Sequence, residues 1–248
     1  MIRVARMVHS LLLCIFVLFA CIGCTNAPGR PTSDSIPVDP GKVSDFSTLF
    51  QQNCTGCHGS EGKGGAALAI GDPVYLAIAG DELLRKVITN GIPGTSMPAF
   101  ARSAGGMLTE AQIEILVHGV RQRWSKPDVL AGVAPPPYSV AEPGDAARGA
   151  AVYASFCASC HGPEGKGTPK GSSIVDGTFL ALLTDQELRT LIIVGRPDLG
   201  APDWRNNVPG KPMSSQEISD VVAWLSARRP KFAGRPSQNP SPETGEHP

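Results

Sequence analysis

The sequence is short of aromatic residues, short of charge, and without an excess of either sign. Phe, Trp and Tyr make up 6% of its 248 residues and charged residues 18%. Basic and acidic side chains balance at 22 each, so no electrostatic grip on a phosphate backbone is built in, and nucleic acid is excluded as a partner. Long apolar runs are scarce too, and the run from Leu11 to Ala20 is too short to span a membrane comfortably. What the chain has in quantity is Gly (28) and Pro (23), against a background that is 42% hydrophobic. That mixture is too apolar for disorder and too loop-rich for a long bundle or a continuous sheet. With so few aromatic rings, something other than side chains is expected to fill part of the core. Seven Cys remain to be explained.

The N-terminus explains some of them. Arg3 and Arg6 precede the apolar run, the form of a secretory signal over residues 1–23. Gly23-Cys24-Thr25-Asn26 follows, which looks like a bacterial lipoprotein cleavage site, with Cys24 as the lipidated first residue of the mature chain and Cys21 as the alternative. Cleavage before Cys24 discards Cys14 and Cys21 and leaves no spare thiol for an oxidising compartment. An exported chain, lipid-anchored on the periplasmic side of a bacterial membrane, is therefore expected. Thr25 is compatible with the outer membrane, the inner membrane being the alternative, and residues 24–42 would form a tether.

The other four Cys carry the chemistry. They lie in Cys54-Thr55-Gly56-Cys57-His58 and Cys157-Ala158-Ser159-Cys160-His161. This doubled pattern is the c-type haem attachment signature: two thiols on one helical turn reach the two vinyl groups of a porphyrin, and the adjacent His lies under the iron. A four-Cys zinc site fits worse, because the pairs are far apart in sequence and zinc gives no reason for a His after each. A thioredoxin-like redox pair would need a strand-helix-strand setting that is not seen.

On these residues the chain resembles the cytochrome c family, as two domains in tandem. Both motifs continue alike, His58-Gly59-Ser60-Glu61-Gly62-Lys63-Gly64 and His161-Gly162-Pro163-Glu164-Gly165-Lys166-Gly167, so the chain contains an internal duplication. The resemblance implies an all-α protein of two small class I cytochrome c-like domains, residues 43–124 and 144–230, each wrapped around a covalent haem. Residues 125–143, with Ala134-Pro135-Pro136-Pro137, read as a stiff extended linker, and residues 231–248 as a disordered tail. Apolar spacing predicts three helices per half. One precedes each haem motif, one runs from Asp81 to Asn90 or from Thr184 to Gly195, and one opens on the capping boxes at Thr109 or Ser214. In the family the first and last helices cross with a Gly on one and an aromatic on the other. Gly149, Tyr153 and Trp224 keep that pattern, whereas Phe46 and Gly119 predict that large and small have exchanged sides in the first half.

Function turns on the far side of each iron. Gly94-Thr95-Ser96-Met97-Pro98-Ala99-Phe100 resembles the family's Met-Pro ligand loop, which makes Met97 the expected sixth ligand of the first haem. In the second half Ala201 aligns with Met97 and cannot ligate iron. Met213 is the nearest thioether, either a relocated ligand or an apolar staple at the helix entry like its counterpart Leu108. His118 reads as a surface or packing residue. The expectation is two covalent haem c groups on a tethered chain that passes single electrons between redox proteins or membrane respiratory complexes. The alternative is a haem enzyme or sensor whose second iron is open to peroxide or a diatomic gas.

Overall fold

The structure, a computed structural model, describes residues 38–231. The signal segment, Cys24 and its alternative Cys21, and the tail beyond Lys231 lie outside the described residues. The chain divides after Lys42 into two compact bodies. The described part of the first is residues 38–42, a single 3-10 turn over Pro40–Lys42. The second body contains both haem motifs. Among the described residues its regular structure is helical, with three isolated bridges.

Each half of this body has five α-helices among the described residues and one 3-10 turn, Arg102–Ala104 or Pro197–Leu199. In the first half these are α1 (Phe46–Asn53), α2 (Thr55–His58), α3 (Pro73–Ile78), α4 (Asp81–Asn90) and α5 (Glu110–Trp124). The second half repeats them as α6 (Ala146–Phe156), α7 (Ala158–His161), α8 (Gly177–Leu182), α9 (Asp185–Val194) and α10 (Ser215–Ser226). Local chemistry sets the starts. Asp45, Asp72, Asp145 and Asp176 each accept a backbone N–H of the first turn that follows. Thr109, Thr184 and Ser214 form complete capping boxes, each worth about 1 kcal/mol. The short helices α3 and α8 escaped the periodicity, being too short to show one, although an Asp cap marks both.

The first and last helices of each half pack against each other and seed the core. In the second half Gly149 lets α6 approach α10 so closely that a Cβ there would collide with the Asp220 carbonyl, and Tyr153 stacks on Trp224 with ring centroids 4.2 Å apart. In the first half a Cβ on Gly119 would meet the Phe46 ring, so the bulk has moved from the last helix to the first, as the exchange predicts. Trp124 completes the cluster, 5.0 Å from Phe50 and 5.9 Å from Phe46.

The carbonyls that end α3 and α8 are closed by arginines. Arg121 donates to the Leu76 and Ala79 carbonyls and pairs with Asp81. Arg229 does the same for Leu180 and Leu183 at 3.0 and 2.9 Å, and pairs with Asp185. These are the C-terminal acceptors that a helix cannot satisfy by itself.

The Pro-rich stretch is not a free spacer. Buried Arg189 on α9 donates to the Pro137 carbonyl at 2.9 Å and the Tyr138 carbonyl at 3.2 Å, and Gln186 adds a bond to Tyr138 at 2.8 Å. Further upstream Arg205 donates to the Val129 carbonyl at 2.9 Å. Sequence composition shows stiffness but not docking, because the partners lie dozens of residues away.

Candidate functional site

Each haem motif forms one tight helical turn. Cys54 ends α1 and starts α2: its N–H donates to the Phe50 carbonyl at 2.8 Å, and its carbonyl accepts from His58 at 3.0 Å. Cys157 repeats this with Tyr153 and His161, at 2.9 and 3.0 Å. All four thiols are free, the first of each pair part-buried and the second exposed. Burial first, and then the neighbouring thiol, push Cys54 and Cys157 up to about 12, so both stay protonated in the absence of a partner. Among the described residues the two pairs are not gathered into one metal-binding cluster, as a four-Cys zinc site would require.

The imidazoles are oriented by the chain itself. His58 Nδ1 lies 2.8 Å from the Leu68 carbonyl, and His161 Nδ1 lies 2.7 Å from the Ser172 carbonyl. An N–H at Nδ1 leaves Nε2 as the ligating nitrogen and fixes the ring plane. No local signal in the sequence could have identified these carbonyls, because they depend on how the loop after the motif closes. Burial lowers the pKa of His58, so its imidazole is held neutral as ligation requires. His161 is half-buried. Two adjacent thiols, neither in a disulfide, beside an imidazole held by one nitrogen form a donor set that fits a covalently attached haem.

The loop after α4 presents Met97. Its ends are tied by Ile92 N–H to the Met97 carbonyl at 3.0 Å and Phe100 N–H to the Ile88 carbonyl at 3.1 Å, and Thr95 Oγ1 accepts the Met97 N–H at 3.1 Å. Gly91, at φ 66°, packs onto the Met97 and Pro98 backbone, where a Cβ has no room. The second half repeats this backbone: Arg196 N–H bonds the Ala201 carbonyl at 2.9 Å, and Gly195, at φ 71°, packs onto Ala201 and Pro202. Ala201 therefore occupies Met97's place in space as well as in sequence. Met213 donates its N–H to the Trp204 carbonyl at 2.9 Å, as Leu108 does to Phe100 at 2.8 Å. Its side chain is buried in the core, and its sulfur accepts from Asn207 Nδ2 at 3.6 Å. His118 stands on the exposed face of α5, 3.8 Å from Glu114.

Comparison with known proteins agrees with this geometry. Residues 41–118 match the family described as cytochrome C oxidase, cbb3-type, subunit III, and residues 146–228 match the family described as cytochrome c. The chain is a tandem of two cytochrome c domains. Such domains make it a dihaem c-type cytochrome with two covalently bound haems. The chain is 33% identical over 131 residues to a cbb3-type cytochrome c oxidase subunit CcoP of Azospirillum, covering 48% of this chain and 39% of the relative. A cytochrome bc1 complex cytochrome c subunit of Mycobacterium tuberculosis is 25% identical over 193 residues, covering 73% of this chain and 63% of the relative. Among solved structures, a Kuenenia stuttgartiensis reducing HAO-like protein complex covers 79% of this chain and 100% of its own, with 18% identity and a TM-score of 0.42. The matched stretch spans about two fifths of the length of the CcoP relative. Among the described residues no helix is long and apolar enough to cross a membrane.

Proposed function

We propose that the dihaem tandem carries single electrons between redox partners of a bacterial respiratory or related chain, tethered to the periplasmic face of a membrane by a lipid on Cys24. The observation that supports it best is the doubled turn in which two thiols and a carbonyl-oriented imidazole converge, at Cys54, Cys57 and His58 and again at Cys157, Cys160 and His161. A haem bound at each turn supplies a one-electron couple, which a His/Met ligand pair places in a range useful for carriage. The four thiols retain the group in an exported protein. Met97, on a loop closed by its own hydrogen bonds, supplies the sixth ligand of the first haem. Relatives that are subunits of cbb3 oxidases and of a bc1 complex make membrane respiratory complexes the fitting partners. Purification of the full chain from membranes should give two covalent haems per polypeptide by denaturing-gel haem stain and pyridine haemochrome, together with a mature N-terminus at a lipidated Cys24 by mass spectrometry. A start at Ala27 or later would remove the lipid from the proposal.

The place of Ala201 favours a second reading, a haem enzyme or sensor. If Met213 is the ligand of the second iron, Met213→Leu changes one haem from low spin to high spin, and the reduced wild type binds no carbon monoxide. If Met213 is only a staple, as its Leu108-like hydrogen bond and the Asn207 amide on its sulfur suggest, the variant spectrum is unchanged and one reduced haem binds carbon monoxide. Met97→Ala should convert the first haem to a high-spin, ligand-binding form in either case.

A further inference from the structure

The loop of the second domain that corresponds to the Met97 loop is occupied elsewhere: it rests on the first domain. Arg196 and Asp198 face each other through two bonds, Nε to Oδ1 at 2.9 Å and Nη2 to Oδ2 at 2.8 Å, with side-chain exposures of only 15% and 9%. Each also reaches across to the first domain. Gly64 N–H donates to Asp198 Oδ2 at 2.9 Å, and Arg196 Nη2 donates to the Gly65 carbonyl at 2.9 Å. Gly64 and Gly65 belong to the first haem motif's own loop. A Cβ on Gly65 would collide with the Cys57 carbonyl, which also accepts from Ala67 at 3.0 Å. The pair is therefore two short steps from Cys57 and His58. The corresponding residues in the first domain, Ile92 and Gly94, carry no charge, so the feature is not inherited from the shared fold.

We propose that the Arg196–Asp198 pair is a positioning and electrostatic element acting between the domains, through which residues of the second domain set the redox potential of the first haem. The inference rests on the reading of Cys54, Cys57 and His58 as a haem site. A half-buried guanidinium acts on its surroundings through a low dielectric, so its charge is felt over several ångströms. Asp198 is held at about 2 chiefly by Arg196, with the Gly64 N–H assisting against burial, so the carboxylate is charged at any working pH. The negative groups on the same face are Asp72 at the start of α3 and Asp203, whose charge Arg205 balances at 2.6 Å. Loss of the Arg196 charge leaves Asp198 uncompensated and stabilises the oxidised first haem. Loss of the Asp198 charge leaves Arg196 uncompensated and stabilises the reduced one.

The experiment is spectroelectrochemical titration of the full-length holoprotein, with the first haem assigned by its paramagnetically shifted His58 and Cys54 signals. Arg196→Gln should lower the potential of the first haem and Asp198→Asn should raise it, while Arg196→Lys, which keeps the charge, should leave it near the wild-type value. Loosening of the domain contact alone would shift the potential the same way in both charge-removing variants. Shifts of one sign in both, or no shift in the first haem, overturn the inference while leaving the cytochrome reading intact. A chain without covalent haem at the first motif overturns the reading beneath it, and haem stoichiometry shows which has failed.

Discussion

The two halves of this chain solve the same packing problem with the same helices and different residues. At equivalent places on the helix after the short one, Arg85 on α4 and Arg189 on α9 do unlike work. Arg85 pairs with Glu114 on the surface, each side chain 40% exposed. Ser219 stands where Glu114 does, and Arg189 is buried, donating to the Ser215 and Ser219 hydroxyls at 2.9 and 3.2 Å and to the linker carbonyls. The end of the last helix and the turn after it show a second such exchange. The clamp on the short helix comes from Arg121 in the first half and, one turn later, from Arg229 in the second, which stands where Trp124 does. A duplicated fold thus holds volumes and satisfied carbonyls constant while the residues that supply them move. Charge that only decorates one copy has become structure in the other.

Three sets of variants would break or sharpen this comparison. The largest effect is expected at Arg189. Arg189→Ala leaves the Pro137 and Tyr138 carbonyls and two hydroxyls without their donor and should destabilise the second half by about 4 kcal/mol. Arg85→Ala should have a much smaller effect, because an exposed ion pair contributes little. Hydrogen exchange of α9 and α4 in the holoprotein reads each half separately, and equal losses would deny that the two arginines differ in role.

The helix crossings come next. Gly149→Ala drives a Cβ into the Asp220 carbonyl, a backbone atom that cannot step aside, and should cost about 3 kcal/mol. Gly119→Ala meets a side chain instead, so it should cost about 1 kcal/mol and be cured when Phe46→Leu is added. Denaturant titration of the four proteins decides, and rescue of Gly149→Ala by trimming Trp224 would contradict the assignment of the clash to backbone.

The smallest effect concerns acid. Asp220, 5% exposed, is held at about 2 by the Arg148 guanidinium first, with the Asp145 N–H and Gln216 assisting, against an ordinary value of 3.8. A depressed carboxylate contributes stability that is complete above the unfolded value and disappears as pH falls towards the folded one, here between about pH 4 and 2. Ile115 stands in its place in the first half. Asp220→Asn should therefore lower the stability of the second half above about pH 4 and flatten its acid dependence within that window. An unaltered acid profile would show that the pair is inert.

Much of this was legible in the sequence, because it is local. Thiols and imidazole within one turn, capping boxes within four residues, and Met beside Pro in a loop are all short-range statements. The exchange of Phe46 and Gly119 was legible for another reason: duplication gave each position an internal control. The partners that matter most were not legible, because they are made across loops. Leu68 and Ser172 contribute only carbonyl oxygens, which every residue has. Arg189 counts as polar in any periodicity and so reads as outward-facing, although its acceptors bury it. Arg196 and Asp198 look like an ordinary charged turn until the other domain is laid against them.

The hold of Arg189 on Pro137 and Tyr138 also redraws where the second folding unit begins. By sequence it starts at about residue 144, where the resemblance to its family sets in. A fragment cut there would fold around a guanidinium whose carbonyl acceptors had been removed, with the cost of a desolvated and part-bonded cation written into its core. The smallest autonomous second half therefore includes the prolines, and with them the Val129 end that Arg205 holds. What looks like a spacer between two domains is inherited by one of them, as its outermost layer.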